Sequence, residues 1–503
     1  MEMQNNGLPK SVSPVLGRSI DIVRGEATSQ LDPSARSRLG QFMTPTPIAD
    51  FMASLFIQWP TKACLLDPGA GVGSLTEAFA EQFMRHAPRG ATLEAHGYEV
   101  DPILLGYFQD CLGAIKERLR SRGQHFRGVT KDCDFIHEAS FLSGMGAPRF
   151  THAILNPPYK KITNASEHRR LVRAVGLETG NLYSAFLGLT ITLMADGGEI
   201  VAIVPRSFCN GTYFRPFRRF LLERTAITHL HVFESRSSAF KDDEVLQENL
   251  IIRLVRGAKP QPVVVSFSQD AHFTDLESRT VPFAEIVHPG DLNEFIRIPD
   301  GNDSKSGALF PCTLAELGLT VSTGPVVDFR VRAYAQSNPE GDYAPLLYAH
   351  HFPGGRLSWP IAHRKPNALA LNPETRKWLM PRGFYTLTKR FSAKEERRRL
   401  VAFVVDPSDI PQSLYGFENH LNVFHYGKAG IPEDLARGLA VFLNSSVADQ
   451  AFRTFSGHTQ VNAGDLRALR YPDRATLIRY GRWAKQAGSA TQEAIDACVE
   501  QIP

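Results

Sequence analysis

Short apolar runs that stop at turn residues recur through the first half of the chain, with stretches of helical spacing between them. Residues 63–66, 91–98, 152–155, 198–204, 227–233 and 249–255 have the length and composition of buried strands, and the acidic turn at Asp132 implies a seventh strand ahead of it. Helical patterns occupy 75–85, 182–194 and 206–223, the last of them basic. The final two strands are joined by 234–248, a polar loop with Phe240 near its middle and no helical pattern. This alternation predicts an α/β fold built on a mostly parallel seven-stranded sheet with one antiparallel strand.

Upstream, Ile48, Phe51, Met52, Leu55 and Phe56 mark one face of a helix, with Thr46 as its expected cap and Pro47 in its first turn. Residues 1 to about 38 are polar and without period, which predicts a loose arm. Beyond Arg256, Gly257-Ala258-Lys259-Pro260-Gln261-Pro262 reads as a linker, and the remainder is mixed α/β without clean alternation. Three segments result: an arm over 1–39, an α/β domain over 40–256 and a second domain over 257–503.

Composition excludes several classes. With 503 residues, 43% hydrophobic and 21% charged, the chain can bury a large core in two domains or more. No apolar run approaches the roughly 20 residues that cross a bilayer, and the first 30 residues lack the apolar core of a signal peptide, so a cytoplasmic protein without membrane contact is expected. Cys64, Cys111, Cys133, Cys209, Cys312 and Cys498 are scattered without paired spacing, which argues against a disulfide framework or a zinc ribbon; no metal is expected. A net charge of +4 decides nothing by itself, but basic and aromatic residues interleave in the second half. They gather at Arg330, Arg332 and Tyr334, at His350, His351, Phe352 and Arg356, and at Phe384, Tyr385, Lys389, Arg390 and Phe391 leading into 394–399. Such clusters suit phosphate contact and base stacking, although 394–399, with its own acids, reads equally well as a solvated helix face. The run 455–462 is a loop dense in small hydrogen-bonding residues.

The candidate chemistry sits where the expected strands end. Asp67-Pro68-Gly69-Ala70-Gly71-Val72-Gly73-Ser74 turns from the first strand into a helix, and its glycines let a ligand approach the backbone. The spacing is not that of a dinucleotide turn, and Asp67 disfavours phosphate, so a cationic or hydroxyl-bearing ligand is expected. Glu99 ends the second strand, where nucleotide-binding folds keep the carboxylate that grips ribose, and Asp134 follows the third, placed to accept from an adenine amino group. The fourth strand stops at Asn156-Pro157-Pro158-Tyr159. Prolines stiffen that loop, and the Asn156 amide oxygen and Pro157 carbonyl are neutral acceptors suited to a primary amide or an aromatic amine. Drawing two N–H bonds out of the ring plane localises such a nitrogen's lone pair for attack on an electrophilic methyl group, with Tyr159 stacking on the acceptor. No metal cluster, nucleophile triad or acid pair accompanies the loop, as expected for transfer from an activated sulfonium donor. His152, on the strand before it, reads as a core histidine.

Taken in order, Thr44-Pro45-Thr46-Pro47, Asp67-Pro68-Gly69-Ala70-Gly71-Val72-Gly73, Glu99, Asp134-Phe135 and Asn156-Pro157-Pro158-Tyr159 resemble the gamma-class adenine-N6 DNA methyltransferases over roughly residues 40–255. The second half resembles the recognition domain of type II modification methylases of the PstI and BsuBI kind, in Phe442-Leu443-Asn444-Ser445 and Gly457-His458-Thr459-Gln460-Val461-Asn462. The resemblance implies a Rossmann-like seven-stranded methyltransferase sheet followed by a mixed α/β target-recognition domain. It implies S-adenosylmethionine held by Thr44, Asp67, Gly69, Gly71, Glu99, Asp134 and Phe135, with Asn156, Pro157, Pro158 and Tyr159 as the catalytic loop and Phe240 as a second aromatic on a flipped adenine. The implied setting is a bacterial or archaeal restriction-modification system, with duplex DNA as substrate, a cognate nuclease acting separately and the enzyme a monomer. The same loop occurs in methyltransferases of RNA adenine and of protein glutamine, but the long basic chain after Val255 favours DNA. A non-catalytic DNA-binding specificity protein is the other alternative, and the intact loop speaks against it.

Overall fold

The structure, a computed structural model, describes residues 20–31, 43–146, 149–233, 249–299, 310–392, 396–454, 456, 460–488 and 490–502. It divides into two compact units: Met1–Phe208 with Tyr213–Glu294, and Cys209–Thr212 with Phe295–Pro503.

The first unit is built on a nine-stranded sheet of order β3-β2-β1-β4-β5-β7-β6-β8-β9. Its strands are β1 Lys62–Pro68, β2 Thr92–Tyr98, β3 His125–Lys131, β4 Phe150–Leu155, β5 Met194–Pro205, β6 Thr225–Phe233, β7 Asn249–Arg256, β8 Val263–Ser268 and β9 Glu277–Val281. The seven expected strands are all present, and β7 runs antiparallel between β5 and β6. Two strands were not foreseen. Val263 and Val265 are fully buried and β8 pairs parallel with β6, so residues 257–262 are a short connection inside the sheet and not a domain linker. The expected boundary at 256 therefore moves to Glu294.

The helices are α1 Ile20–Gln30, α2 Thr46–Ser54, α3 Ser74–His86, α4 Pro102–Ser121, α5 Phe135–Gly144, α6 Glu167–Ala174, α7 Leu182–Leu193 and α8 Arg215–Arg224. One sheet face packs Ala63, Leu65, Leu93 and Ala95 against Met52 of α2, Phe79 and Phe83 of α3 and Ile115 of α4. Gly97 on β2 is required for the closest approach, because a Cβ there would lie 2.2 Å from the Phe108 ring of α4. On the other face Tyr98 meets Phe135 of α5, which meets Phe186 of α7.

Three local expectations change. The arm contains α1, whose Val23, Ala27 and Leu31 pack on Val72, Leu104 and Tyr107; residues 1–19 and 32–42 lie outside the described residues. Thr46 is the first helical residue of α2 and not its cap; the cap position is Pro45, and Asp21 of α1 accepts from the Thr46 amide at 3.4 Å. The basic helix expected over 206–223 is interrupted, since Gly211 adopts φ 74° and α8 starts afresh at Arg215 with Pro216 in its first turn.

The second unit holds a four-stranded antiparallel sheet and a five-stranded mixed sheet. Its strands are β10 Thr320–Thr323, β11 Ala335–Gln336, β12 Tyr343–Leu347, β13 Ala368–Ala370, β14 Leu379–Pro381, β15 Tyr385–Lys389, β16 Ala402–Val405, β17 Leu414–Phe417 and β18 Leu421–His425. Helices α9 Glu433–Leu443 and α10 Arg474–Ala487 cross through Gly438 and Gly481, where a Cβ would fall 1.7 Å and 1.8 Å from a facing carbonyl oxygen. No described helix is long and apolar enough to cross a membrane.

Candidate active site

The first unit encloses a cavity of about 380 Å³ beyond the carboxyl ends of β1, β2, β3 and β4. This is where the strand order reverses, since the chain moves outward from β1 to β2 and β3 and then returns to place β4 on the other side of β1.

The glycine turn after β1 forms its floor. Gly69 and Gly71 have φ of 84° and 57°, a region that favours glycine. The Gly69 and Ala70 amides both donate to the Tyr98 carbonyl, at 2.9 Å and 2.8 Å, which ties the turn to the end of β2. Beside it Glu99 is buried, and its Oε2 accepts from the Gly71 amide at 3.0 Å while Oε1 accepts from the amides of Val100 and Asp101 at 2.9 Å each. Burial raises the Glu99 carboxyl above its usual range against the pull of those amides. Asp67 does not line the cavity. It is buried under the turn, where Oδ2 accepts from the Thr76 hydroxyl at 2.6 Å, and burial pushes its carboxyl up to about 7 despite that bond, with Glu99 adding to the rise.

Asp134 caps α5, accepting from the Ile136 and His137 amides at 2.8 Å and 3.3 Å. Its other oxygen faces His168 Nε2 at 3.0 Å. Burial opposes ionisation of Asp134, but His168 and the helix amides outweigh it and hold the carboxyl below its usual value; the same contact raises His168. Phe135, Ile136, Leu182 and Phe186 supply an apolar wall.

The Asn156-Pro157-Pro158-Tyr159 loop closes the far end. Asn156 and Pro158 line the cavity, whereas Pro157 is packed behind them. Asn156 Nδ2 donates to Thr44 Oγ1 at 3.1 Å, and the Tyr159 hydroxyl donates to Asn156 Oδ1 at 3.1 Å and to the Ile203 carbonyl at 3.4 Å. The Tyr159 ring sits edge-on to Tyr183, with centroids 6.4 Å apart, and burial pushes its hydroxyl far above the usual tyrosine value. His152 is buried among Phe56, Trp59 and Phe79, with Nε2 2.8 Å from the Gln58 carbonyl, as a core histidine should be.

Of the residues singled out in the sequence, Thr44, Gly69, Gly71, Glu99, Asp134, Phe135, Asn156 and Pro158 line this one cavity. Phe240 lies outside the described residues. His168, Lys160, Lys161 and Phe186 also line it and were missed, because nothing in local spacing separates them from surface or core positions of their helices and loops.

The lining fits S-adenosylmethionine. Glu99 offers a buried carboxylate, Asp134 lies beside Phe135, whose ring meets that of Phe186, and the Thr44 hydroxyl is bonded to Asn156. Fold and site together define an S-adenosylmethionine-dependent methyltransferase. The Eco57I restriction-modification methylase family matches residues 108–240. The type II methyltransferase M.BsuBI of Bacillus subtilis is 47% identical over 93% of this chain and 94% of its own length, and the type II methyltransferase M.PstI of Providencia stuartii is 41% identical over 91% and 92%. The type IIL restriction-modification enzyme MmeI, solved with DNA, shares the fold at a TM-score of 0.55 and 10% identity, over 95% of this chain and 78% of that one. The chain belongs to the type II DNA methyltransferases of restriction-modification systems, in the branch of M.BsuBI and M.PstI.

Proposed function

We propose that this enzyme methylates the N6 amine of an adenine turned out of duplex DNA, at a short palindromic site. The observation that carries the reading is the bond from Asn156 to Thr44, which sets the acceptor loop at the rim of the cavity that Glu99 and Asp134 line. S-adenosylmethionine, when bound, supplies the methyl group. Glu99 would hold the ribose, Asp134 and Phe135 the adenine, and Thr44 the methionine end; Gly69 and Gly71 leave room for the ligand, and Asp67 supports their turn from beneath through Thr76.

The Asn156 Oδ1 and the Pro157 carbonyl accept the two N–H bonds of the target amine. This localises the nitrogen lone pair towards the methyl carbon; as the N–C bond forms, the bond from that carbon to sulfur breaks, and the amine proton leaves to water. Tyr159 stacks on one face of the base and Phe240 on the other. The setting is a bacterial or archaeal cytoplasm, the enzyme a monomer, and the cognate nuclease a separate protein.

Duplex DNA incubated with labelled methyl donor should take up label as N6-methyladenine. Label entering protein or RNA but not DNA would sink this reading. Asn156→Ala and Tyr159→Ala should each lose turnover by about 100-fold or more while binding the donor within a few-fold of the parent, since both act on the acceptor and not on the donor.

A further inference from the structure

Two groups of cations in the second unit differ in what they face. From Phe384 to Arg399 most of those that are described turn onto the protein, while Arg397 is exposed. Lys389 pairs with Glu396 at 3.3 Å, Arg390 donates to the Asn419 carbonyl at 3.0 Å and Gln460 Oε1 at 3.2 Å, and Arg399 is fully buried, donating to the Ser456 carbonyl at 3.3 Å. Those groups hold the unit together.

The other set surrounds Asp328. The Tyr348 hydroxyl donates to Asp328 Oδ1 at 2.8 Å, and Lys365 pairs with the same carboxylate, so the helical turn Asp328–Val331 is tied to the loop 349–367. Asn367 braces that loop from within. Its Nδ2 donates to the carbonyls of Ser337 and Ile361 at 2.8 Å each, its Oδ1 accepts from the Ile361 amide at 3.1 Å, and its carbonyl accepts from Trp359 Nε1 at 2.8 Å. His351 Nδ1 accepts from the Tyr348 amide at 3.1 Å, which assigns the proton to Nε2 and a donated bond to Asn367 Oδ1 at 3.0 Å. His350 stacks on Tyr348 and on His363, with centroids 5.1 Å and 3.9 Å away, and burial, with His351, His363 and Lys365 adding to it, lowers it to about 4, so the His350 ring is neutral at neutral pH.

This frame shows positive charge to solvent. Arg330, Arg332, Arg356 and Arg364 are exposed, and the last three make no side-chain hydrogen bond or ion pair among the described residues. The Arg330 guanidinium lies 5.6 Å from the ring of Phe329, which is itself 76% exposed. Guanidiniums without protein partners on a braced loop lose little freedom on binding and match a polyanion that presents planar acceptor edges. We propose that Arg330, Arg332, Arg356 and Arg364, gathered on the turn and loop that meet at Asp328, form the surface that reads duplex DNA, with Arg356 and Arg364 on base edges and Arg330 and Arg332 on phosphates. The inference rests on the DNA methyltransferase reading above.

The probe is a duplex carrying the site mapped by sequencing methylated bases in DNA from cells that express the protein, with a scrambled duplex beside it. Arg356→Ala and Arg364→Ala should each weaken binding to the site duplex by about tenfold or more, leave the scrambled duplex within about threefold, and raise methylation of singly altered sites relative to the true one. Arg332→Ala should weaken both duplexes alike and lower the salt dependence of log K by about 1. Melting temperature and donor binding should match the parent in all three, since these side chains are exposed and none of them lines the donor cavity. Arginine variants that bind and discriminate as the parent does would overturn the surface while leaving DNA methylation by the parent intact; a parent that methylates no DNA overturns both.

Discussion

Thr44 is asked to do two things, and the two can be separated. Its hydroxyl accepts from Asn156 at 3.1 Å, and it is buried against the cavity. Thr44→Val keeps the shape and removes the acceptor, leaving the Asn156 amide to find another orientation. A lost bond of this kind is worth about 1–2 kcal/mol, so kcat should fall roughly tenfold. A raised KM for the donor with unchanged kcat would show that Thr44 serves the methionine end alone. The bond itself was not legible in the sequence, where Thr44 and Asn156 stand far apart in two separate motifs. Glu99 and Asp134 were legible because a carboxylate at a strand's carboxyl end has few structural uses other than capping a helix, and Asp134 does that as well. His168 was not, because it comes from α6 and meets Asp134 only through the fold.

Strand β8 shows how an element can hide and what it then carries. Its Ser266 and Ser268 face His231 of β6, with Oγ to ring nitrogen distances of 2.9 Å and 3.2 Å, and Phe51, Phe233 and Phe273 surround the imidazole. Burial, with His229 adding to it, lowers His231 to about 3 from an ordinary 6.5. The unfolded chain therefore takes up this proton below pH 6.5 and the folded chain does not, so the stability is complete above that pH and is lost as the pH falls towards the folded value. Between pH 6.5 and 5 the loss from this fully buried ring is about 2 kcal/mol. Melting temperatures of the parent and of His231→Gln, taken at pH 7.5 and 5, should differ in their drop, with the variant falling less; equal drops would remove His231 as the acid-sensitive group. The sequence concealed β8 behind a Pro- and Gly-containing connection that reads as a linker, and it concealed α1 because only Val23, Ala27 and Leu31 of that segment are buried. Apolar runs made six strands visible and the acidic turn at Asp132 implied β3, whereas β8 and β9 lie beyond the connection that reads as a linker.

At the scale of the molecule, composition announced a second unit, but its exact start depended on β8 and β9 pairing, which no local pattern reports. The consequence for turnover lies in what one chain contains. Among the described residues a single cavity gathers Thr44, Glu99, Asp134 and Asn156, so one chain presents one acceptor loop. A palindromic site offers one target adenine on each strand, in opposite orientations. A monomer with one such loop must transfer one methyl group, release the duplex and bind again the other way round. Strand-resolved methylation with duplex in excess should show hemimethylated product accumulating first, at a rate linear in enzyme concentration. Hemimethylated duplex should in turn be accepted as substrate, because the second event uses the same loop on the remaining strand. Doubly methylated duplex at the first turnover, or a rate that rises with the square of enzyme concentration, would require two chains on one site and overturn the monomer.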